Sequence, residues 1–215
     1  AMLVLQTGNN IYNDDLTKTT YDQQSVIRAF ERWTKFYTVF DFEQTYDAFS
    51  RFRTGEMPIV IQNYTFYNQL SVSAPEIKGL WNFTLVPGTV QEDGTISHAA
   101  NSSSSGAIIF NKVSDTQAAW EFIKWFTSTE VQVDYGRTIE ALMGPMGRFD
   151  TANVQALEQL PWSTSEYSKI SAQMSETVEI PIIPASYATT RHTKNAFRAV
   201  VNDAWNPRYA LSSYN

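Results

Sequence analysis

The stretch Asn63-Tyr64-Thr65-Phe66-Tyr67 places an amide and three aromatic rings within five residues. Sugars present apolar C–H faces that stack on such rings, and hydroxyl groups that need paired donors and acceptors. The stretch follows an apolar run that predicts a strand and opens a predicted helix, which is where an α/β sheet offers its ligand crevice. The pattern therefore indicates a site for a polar, ring-shaped ligand, with core packing as the alternative for each ring.

Two arginines and two tryptophans are further candidates for ligand contact. Arg148 lies in a glycine-rich segment, and Arg191 follows Tyr187 in a late segment of the chain. A guanidinium offers five donors that suit vicinal hydroxyls or a carboxylate, and a surface ion pair is the alternative for each arginine. Trp81 and Trp162 could stack on a sugar, but Trp162 is also placed to pack on a helix start as a hydrophobic staple.

The composition excludes several classes of function. The chain has 215 residues with 16 Lys and Arg against 22 Asp and Glu, and its formal net charge is −6. Such an acidic balance without a basic run opposes nucleic-acid binding, because phosphate contacts need clustered cations. With 0 Cys and 2 His, the sequence offers no thiolate zinc site and few imidazole ligands, so we expect no metal and no cofactor.

Catalytic motifs are missing from the sequence as well. There is no Gly-x-Ser-x-Gly elbow, no phosphate-binding loop and no recognisable constellation of paired carboxylates. His98 and His192 each lack a nucleophile in a recognisable motif. We therefore expect a non-enzymatic binding protein. Two alternatives stay open, namely a carbohydrate-processing enzyme or an appendage domain of one, and a non-catalytic protein-interaction module.

Hydrophobic periodicity predicts the helices that position these side chains. Over 22–39 four bulky residues recur on one helical face, namely Val26, Phe30, Trp33 and Tyr37. Further helices are predicted over 45–54, 116–126 and 130–141. The others are a helix that ends at about 72, a helix that ends at 160 and is capped by Asp150 or Thr151, a helix that begins after 163, and a helix around 197–205. Capping boxes are predicted at Ser114-x-x-Gln117, Thr129-x-x-Gln132 and Ser163-x-x-Glu166.

Three short apolar runs predict β-strands over 57–61, 83–86 and 107–110, because they are rich in β-branched and aromatic residues. Asp93-Gly94 predicts a hairpin-type turn. Strands embedded among about seven helices predict the α/β fold class. Three strands are few for a complete doubly wound sheet, so we interpret the chain as part of a larger protein.

The order of these pieces resembles the second half of the extracellular solute-binding proteins of ABC importers, the group that includes maltose-binding protein. The sequence FRTGEMPI over 52–59 is similar to the family's F-x-x-G-E-x-x-[ILM] turn from helix to strand. The sequence AAWEFIKWFTSTEVQ over 118–132 closely resembles the family's A-W-x-F-[IL]-K-[WF]-[LMF]-T-S-x-E-x-Q helix pair. Residues 180–201 are similar to the family's proline-containing segment before a late helix. The resemblance as a whole extends from about residue 20 to 205.

The resemblance implies a partial periplasmic binding protein-like type II fold. Residues 3–98 and 152–215 would form the C-terminal lobe, and 99–151 would contribute to the N-terminal lobe, whose opening part lies outside the chain. The expected function is a receptor that binds a small-molecule solute, a carbohydrate, in an interlobe cleft and delivers it to ABC permease subunits. The protein would be extracellular at the cell surface, lipid-anchored through a region not in this chain, or periplasmic.

The resemblance also extends the set of candidate ligand contacts. The family's aromatic sugar contact corresponds to Tyr64 or Tyr67, and its cleft-lining crossover corresponds to the serine run at 102–105. The residues expected to bind ligand are Asn63, Tyr64, Tyr67, Trp81, Ser103, Ser104, Arg148, Tyr187 and Arg191.

Overall fold

The computed structural model describes residues 1–214, in which helices predominate over two small sheets. The α-helices are α1 Met2–Leu5, α2 Gln24–Thr38, α3 Ala48–Thr54, α4 Thr65–Ser73, α5 Thr116–Phe126, α6 Thr129–Met143, α7 Val154–Gln159, α8 Thr164–Ser175, α9 Ser186–Asp203 and α10 Pro207–Ser213. Short 3₁₀ turns occupy Pro75–Ile77 and Gly144–Gly147. The strands are β1 Thr89–Val90, β2 Ile96–Ser97, β3 Ala100–Ser102 and β4 Thr177–Glu179.

The two sheets each contain two strands. Strands β1 and β2 pair antiparallel with Thr89 opposite Ser97, and the predicted turn at Asp93-Gly94 between them is confirmed. The Asp93 carboxylate accepts a hydrogen bond from the Thr95 amide at 2.9 Å. Strands β3 and β4 pair in parallel over three residues each, and the sequence did not predict this pair.

The three predicted strands are wrong. Residues 57–61, 83–86 and 107–110 lie outside every helix and strand of the described part of the chain. Apolar side chains in two of these runs face solvent, since Ile59 is 81% exposed and Ile108 is 75% exposed. An extended apolar run becomes a strand only where a neighbouring strand takes up its backbone hydrogen bonds. The backbone from 1 to 214 brings no such neighbour beside these runs.

The main helices form where periodicity predicted them. Helix α2 buries Val26 and Phe30 from its predicted face, and α5 spans the predicted residues. Helix α3 ends at Gly55, whose φ of 81° lies in the left-handed region that glycine tolerates. Helices α1 and α10 are additional short elements that the sequence did not predict.

One of the capping predictions is confirmed and three are wrong by one to three residues. The Ser163 amide donates to the Glu166 carboxylate at 3.0 Å, and the Glu166 amide donates back to the Ser163 hydroxyl at 3.3 Å. Helices α5, α6 and α7 are capped by other side chains that also accept from a free amide, namely Asp115 instead of Ser114, Ser128 instead of Thr129, and Asn153 instead of Asp150 or Thr151.

The chain divides into two compact units. The first unit comprises Ala1–Tyr46, Val86–Ser103 and the residues from Gln173 onward, and the second comprises Asp47–Leu85 and Ser104–Ala172. The core of the first unit lies where α2 meets α9 and α10, and it contains Tyr21, Val26, Ile27, Phe30, Ala196, Ala199, Val200, Ala210 and Leu211. The assignment of 99–151 to a different lobe from 3–98 and 152–215 stays a prediction.

The second unit has a smaller core and a large exposed apolar surface. Leu70 of α4, Val133 of α6 and Leu157 of α7 are buried. Helix α5, in contrast, buries none of its residues, although it is amphipathic. Three of its aromatic side chains share one side of the helix and are 39–59% exposed, and we call them the α5 aromatic face: Phe122, Trp125 and Phe126.

Candidate ligand-binding site

A cluster of rings in the second unit forms around Tyr67. Tyr64 and Tyr67 lie three residues apart at the start of α4, so they share one side of the helix. The ring of Tyr67 makes edge-to-face contacts with the rings of Trp81, Phe83 and Trp162, at centroid distances of 5.4, 5.7 and 5.2 Å. Edge-to-face pairs add about 0.5–1.5 kcal/mol each beyond the area that they bury.

Arg148 is held at the centre of these rings. Its guanidinium carbon lies 4.5 Å from the ring centroid of Trp162 and 5.3 Å from that of Tyr67. Its Nη2 and Nε donate to the Glu140 carboxylate at 2.6 and 3.1 Å, and its Nη1 donates to the Tyr67 hydroxyl at 2.9 Å. The charge is therefore neutralised and oriented by three hydrogen bonds and two ring faces.

The backbone that presents Arg148 depends on a close approach at Gly147. This residue is buried in the 3₁₀ turn after α6. A Cβ at position 147 would lie 2.5 Å from the carbonyl oxygen of Ile139. Only a residue without a side chain can bring the turn so near to α6, which places Arg148 beside Glu140.

Glu166 joins the cluster through the capping box of α8. The Tyr67 hydroxyl donates to its Oε1 at 2.8 Å, while the Ser163 hydroxyl donates to its Oε2 at 2.6 Å. A continuous chain of hydrogen bonds thus runs from Glu140 through Arg148 and Tyr67 to Glu166. We call the connected set the aromatic–arginine cluster: Tyr64, Tyr67, Trp81, Phe83, Glu140, Arg148, Trp162 and Glu166.

The pKa shifts of Tyr64, Tyr67 and Glu166 fix the charges of these groups at neutral pH. Burial raises the pKa of Tyr64, and the charge of Asp150 raises it further. Burial and the hydrogen bond to Glu166 raise the pKa of Tyr67. Burial alone would raise the pKa of Glu166, but hydrogen bonds from Ser163 and Tyr67 outweigh this effect and lower it. At neutral pH the tyrosines are hydroxyl donors and Glu166 is a carboxylate.

Three buried polar atoms mark the same region. Among the described residues, Tyr64 Oη, Asn68 Oδ1 and Trp162 Nε1 are the buried side-chain atoms without a hydrogen-bond partner. The ring centroids of Tyr64 and Trp162 lie 5.5 Å apart. The Asn68 amide nitrogen donates to the Arg148 carbonyl at 3.0 Å. A buried polar atom left unpaired costs about 1–3 kcal/mol. A group of unpaired polar atoms in one region is typical of a site where a polar partner supplies the missing hydrogen bonds.

The structure brings together four of the residues expected to bind ligand: Tyr64, Tyr67, Trp81 and Arg148. Asn63 is exposed directly before Tyr64. Ser103 and Ser104 are exposed where the chain passes from the first unit to the second. Tyr187 and Arg191 lie on α9 of the first unit, where the guanidinium carbon is 5.9 Å from the tyrosine ring centroid.

Three members of the aromatic–arginine cluster were not considered as ligand contacts from the sequence: Phe83, Glu140 and Glu166. Glu166 was interpreted as part of a helix start, a role that the capping box confirms. Trp162 was interpreted both as a stacking candidate and as a hydrophobic staple. Glu140 and Asn68 carried no signal in the sequence. Among residues 1–214, no group of three His, Cys, Asp or Glu side chains is arranged to hold a metal ion.

Comparison with known proteins identifies the family. Residues 2–161 match the family described as bacterial extracellular solute-binding protein. The chain belongs to this family. No protein of curated function matches the sequence. None of the helices described is both long and apolar enough to cross a membrane.

Two solved structures show what the fold of this solute-binding protein is similar to. One is an ABC substrate-binding protein from Listeria monocytogenes in complex with cycloalternan, with a TM-score of 0.63 and 15% identity. The other is an ABC transporter solute-binding protein from Thermotoga lettingae bound with alpha-D-tagatose, with a TM-score of 0.64 and 16% identity. The match covers 99% of this chain but 53% of each of those chains, so the chain spans about half their length. The predicted family and the partial α/β solute-binding fold are confirmed.

Substitution of Gly147 tests how the cluster is positioned. We expect Gly147→Ala to lower the free energy of unfolding by about 1–3 kcal/mol, because the added methyl group overlaps the Ile139 backbone. Urea unfolding of the full-length protein measures this loss. Gly106→Ala is the matched control, since a Cβ there meets no heavy atom within 4 Å. Equal stability of the two variants would contradict the prediction.

Proposed function

We propose that the full-length protein containing this chain is a receptor that captures a saccharide and delivers it to ABC permease subunits in the membrane. The aromatic–arginine cluster carries the proposal, because stacking rings beside oriented donors and acceptors are what a sugar needs. The two similar structures support it, since their ligands, cycloalternan and alpha-D-tagatose, are both carbohydrates.

The proposed contacts divide by their chemistry. Tyr64, Tyr67, Trp81 and Trp162 would supply ring surface, and Arg148 would donate from the part of its guanidinium that Glu140 leaves free. The other proposed contacts lie outside the cluster and would reach the ligand with amide, hydroxyl, ring and guanidinium groups: Asn63, Ser103, Ser104, Tyr187 and Arg191.

The proposed mechanism is closure of two lobes around the solute. A ligand that contacts both lobes only in the closed state favours that state by its differential affinity. In this proposal 3–98 and 152–215 belong to the C-terminal lobe, and 99–151 supports the other lobe. The protein would act without catalysis, outside the cell or in the periplasm, where a lipid anchor beyond this chain could hold it.

The exposed α5 aromatic face supports the proposed assignment of 99–151 to the N-terminal lobe. Three half-exposed aromatic side chains on one side of a helix form an apolar surface of the kind that soluble proteins cover. In the proposal, another part of the full-length polypeptide packs on this face. The same face favours a second candidate function, namely a module that docks on other proteins through α5.

Thiol labelling separates these two possibilities. In the full-length protein we expect a cysteine introduced as Phe122→Cys to react about tenfold or more slowly than one introduced as Gln117→Cys, because the face would be covered and open only transiently. Gln117 is exposed on the same helix and serves as the matched control. Peptide mass spectrometry measures each labelling rate. Fast labelling at both positions would support the docking module.

A thermal-shift screen of the full-length protein tests the saccharide receptor. A ligand that binds only the native state raises the melting temperature. We expect a mono- or oligosaccharide to raise it, and amino acids and short peptides to leave it unchanged. Stabilisation by peptides alone would overturn the proposed ligand class. Chemical turnover of the stabilising sugar would favour a carbohydrate-processing enzyme instead.

Substitution of Trp81 tests where the sugar binds. With the stabilising sugar, we expect Trp81→Ala to weaken binding by about 1–3 kcal/mol, because a stacking surface is lost. Trp81→Phe should retain much of the affinity, since it keeps a ring. Trp205→Ala, which alters a ring on the first unit, is the control for losing a tryptophan. Calorimetric titration measures all three, and equal affinities for Trp81→Ala and the control would rule out this placement.

A further inference from the structure

The aromatic–arginine cluster contains more carboxylates than cations. Arg148 is its single cation, and Glu140 and Glu166 are carboxylates joined to it directly or through Tyr67. Two more charged groups border the cluster: Asp150, a third carboxylate, whose charge raises the pKa of Tyr64, and Lys169, a second cation, whose ammonium lies 5.5 Å from the ring centroid of Phe83. The site therefore holds more negative than positive charge, in a chain whose formal net charge is −6.

The positive charge of Arg148 is already paired with the carboxylate of Glu140. Its ion pair with Glu140 is mostly shielded, since the two side chains are 13% and 16% exposed. An anionic ligand could reach the guanidinium only by displacing Glu140, and that would leave a shielded carboxylate without its partner. A neutral hydroxyl needs no such exchange, because it can accept from a guanidinium N–H that Glu140 and Tyr67 do not use.

Repulsion adds to this cost for an acidic ligand. Like charges a few ångströms apart near a protein surface repel by several kcal/mol before solvent and salt reduce the effect. A carboxylate brought against the rings of Tyr67 and Trp162 would face Glu166 and Glu140 at short range. An uncharged ligand stacked on the same rings meets neither penalty.

We infer that the cluster selects uncharged saccharides and rejects acidic ones, and that Glu140 determines this preference by holding Arg148 in an ion pair. The inference rests on the proposed function, and it names the chemical class of its ligand. Glu140 acts here as a positioning residue, because it governs what Arg148 can bind.

The test compares neutral sugars with their uronates in the full-length protein. The probes are glucose with glucuronate, galactose with galacturonate, and the trisaccharides of each pair, titrated calorimetrically at neutral pH. For the pair that contains the best ligand, we expect the neutral member to bind about tenfold or more tightly than the uronate. In Glu140→Gln this ratio should fall about tenfold, because Arg148 is then available to the carboxylate.

Two further variants distinguish charge selection from general damage. Glu121→Gln makes the same change of charge at an exposed pair with Lys124, and it should leave the ratio unchanged. The double variant Glu140→Gln/Arg148→Gln removes both charges together, so the preference for the neutral sugar should return. A merely structural role of Glu140 would leave the ratio unchanged in the single variant.

The possible failures are distinguishable. Equal or tighter binding of the uronate by the wild-type protein would overturn the inference and leave the saccharide receptor standing. An unchanged ratio in Glu140→Gln would also overturn it. If neither member of any pair binds, the inference falls, and the thermal-shift screen decides the proposed function separately.

Discussion

A shielded guanidinium must have a counter-charge, and this constraint organises the second unit. Arg148 is mostly removed from solvent, so Glu140 has to lie within hydrogen-bond distance of it. The chain achieves this by turning sharply after α6, where Gly147 packs against the backbone of Ile139. The rings of Tyr67 and Trp162 then cover the faces of the guanidinium that the carboxylate leaves open.

The ion pair also explains why the cluster contains so much polar chemistry among its rings. Charge-assisted hydrogen bonds fix Arg148 in one orientation, and Arg148 in turn fixes the hydroxyl of Tyr67, which reaches Glu166. In the proposed function, rings held in this way would lose little freedom on binding a ligand, so less of the binding free energy would go to ordering them. A rigid platform with unpaired donors and acceptors beside it is well suited to a stiff, hydroxyl-rich molecule.

The sequence predicted what depends on local chemistry and missed what depends on distant partners. Helices α2 and α5 follow from apolar periodicity, and the Ser163–Glu166 box follows from spacing alone. The runs at 57–61, 83–86 and 107–110 have the composition of strands, but pairing requires another strand that the described residues do not bring beside them. Tyr67 and Arg148 were predicted as site residues one by one. Glu166 lies 99 positions from Tyr67, so its share in the site could be recognised only in the folded chain.

The double role of Glu166 has a consequence for how the cluster can diverge. One of its oxygens holds Ser163 at the start of α8, and the other accepts the Tyr67 hydroxyl. A substitution at 166 therefore disturbs the start of α8 and the cluster together, and selection for stability opposes it. Glu140 caps no helix, and its carboxylate accepts two hydrogen bonds from Arg148. Under the proposed function, new ligand preferences would be more accessible to mutation at 140 than at 166, because one helix cap narrows the substitutions that position 166 tolerates.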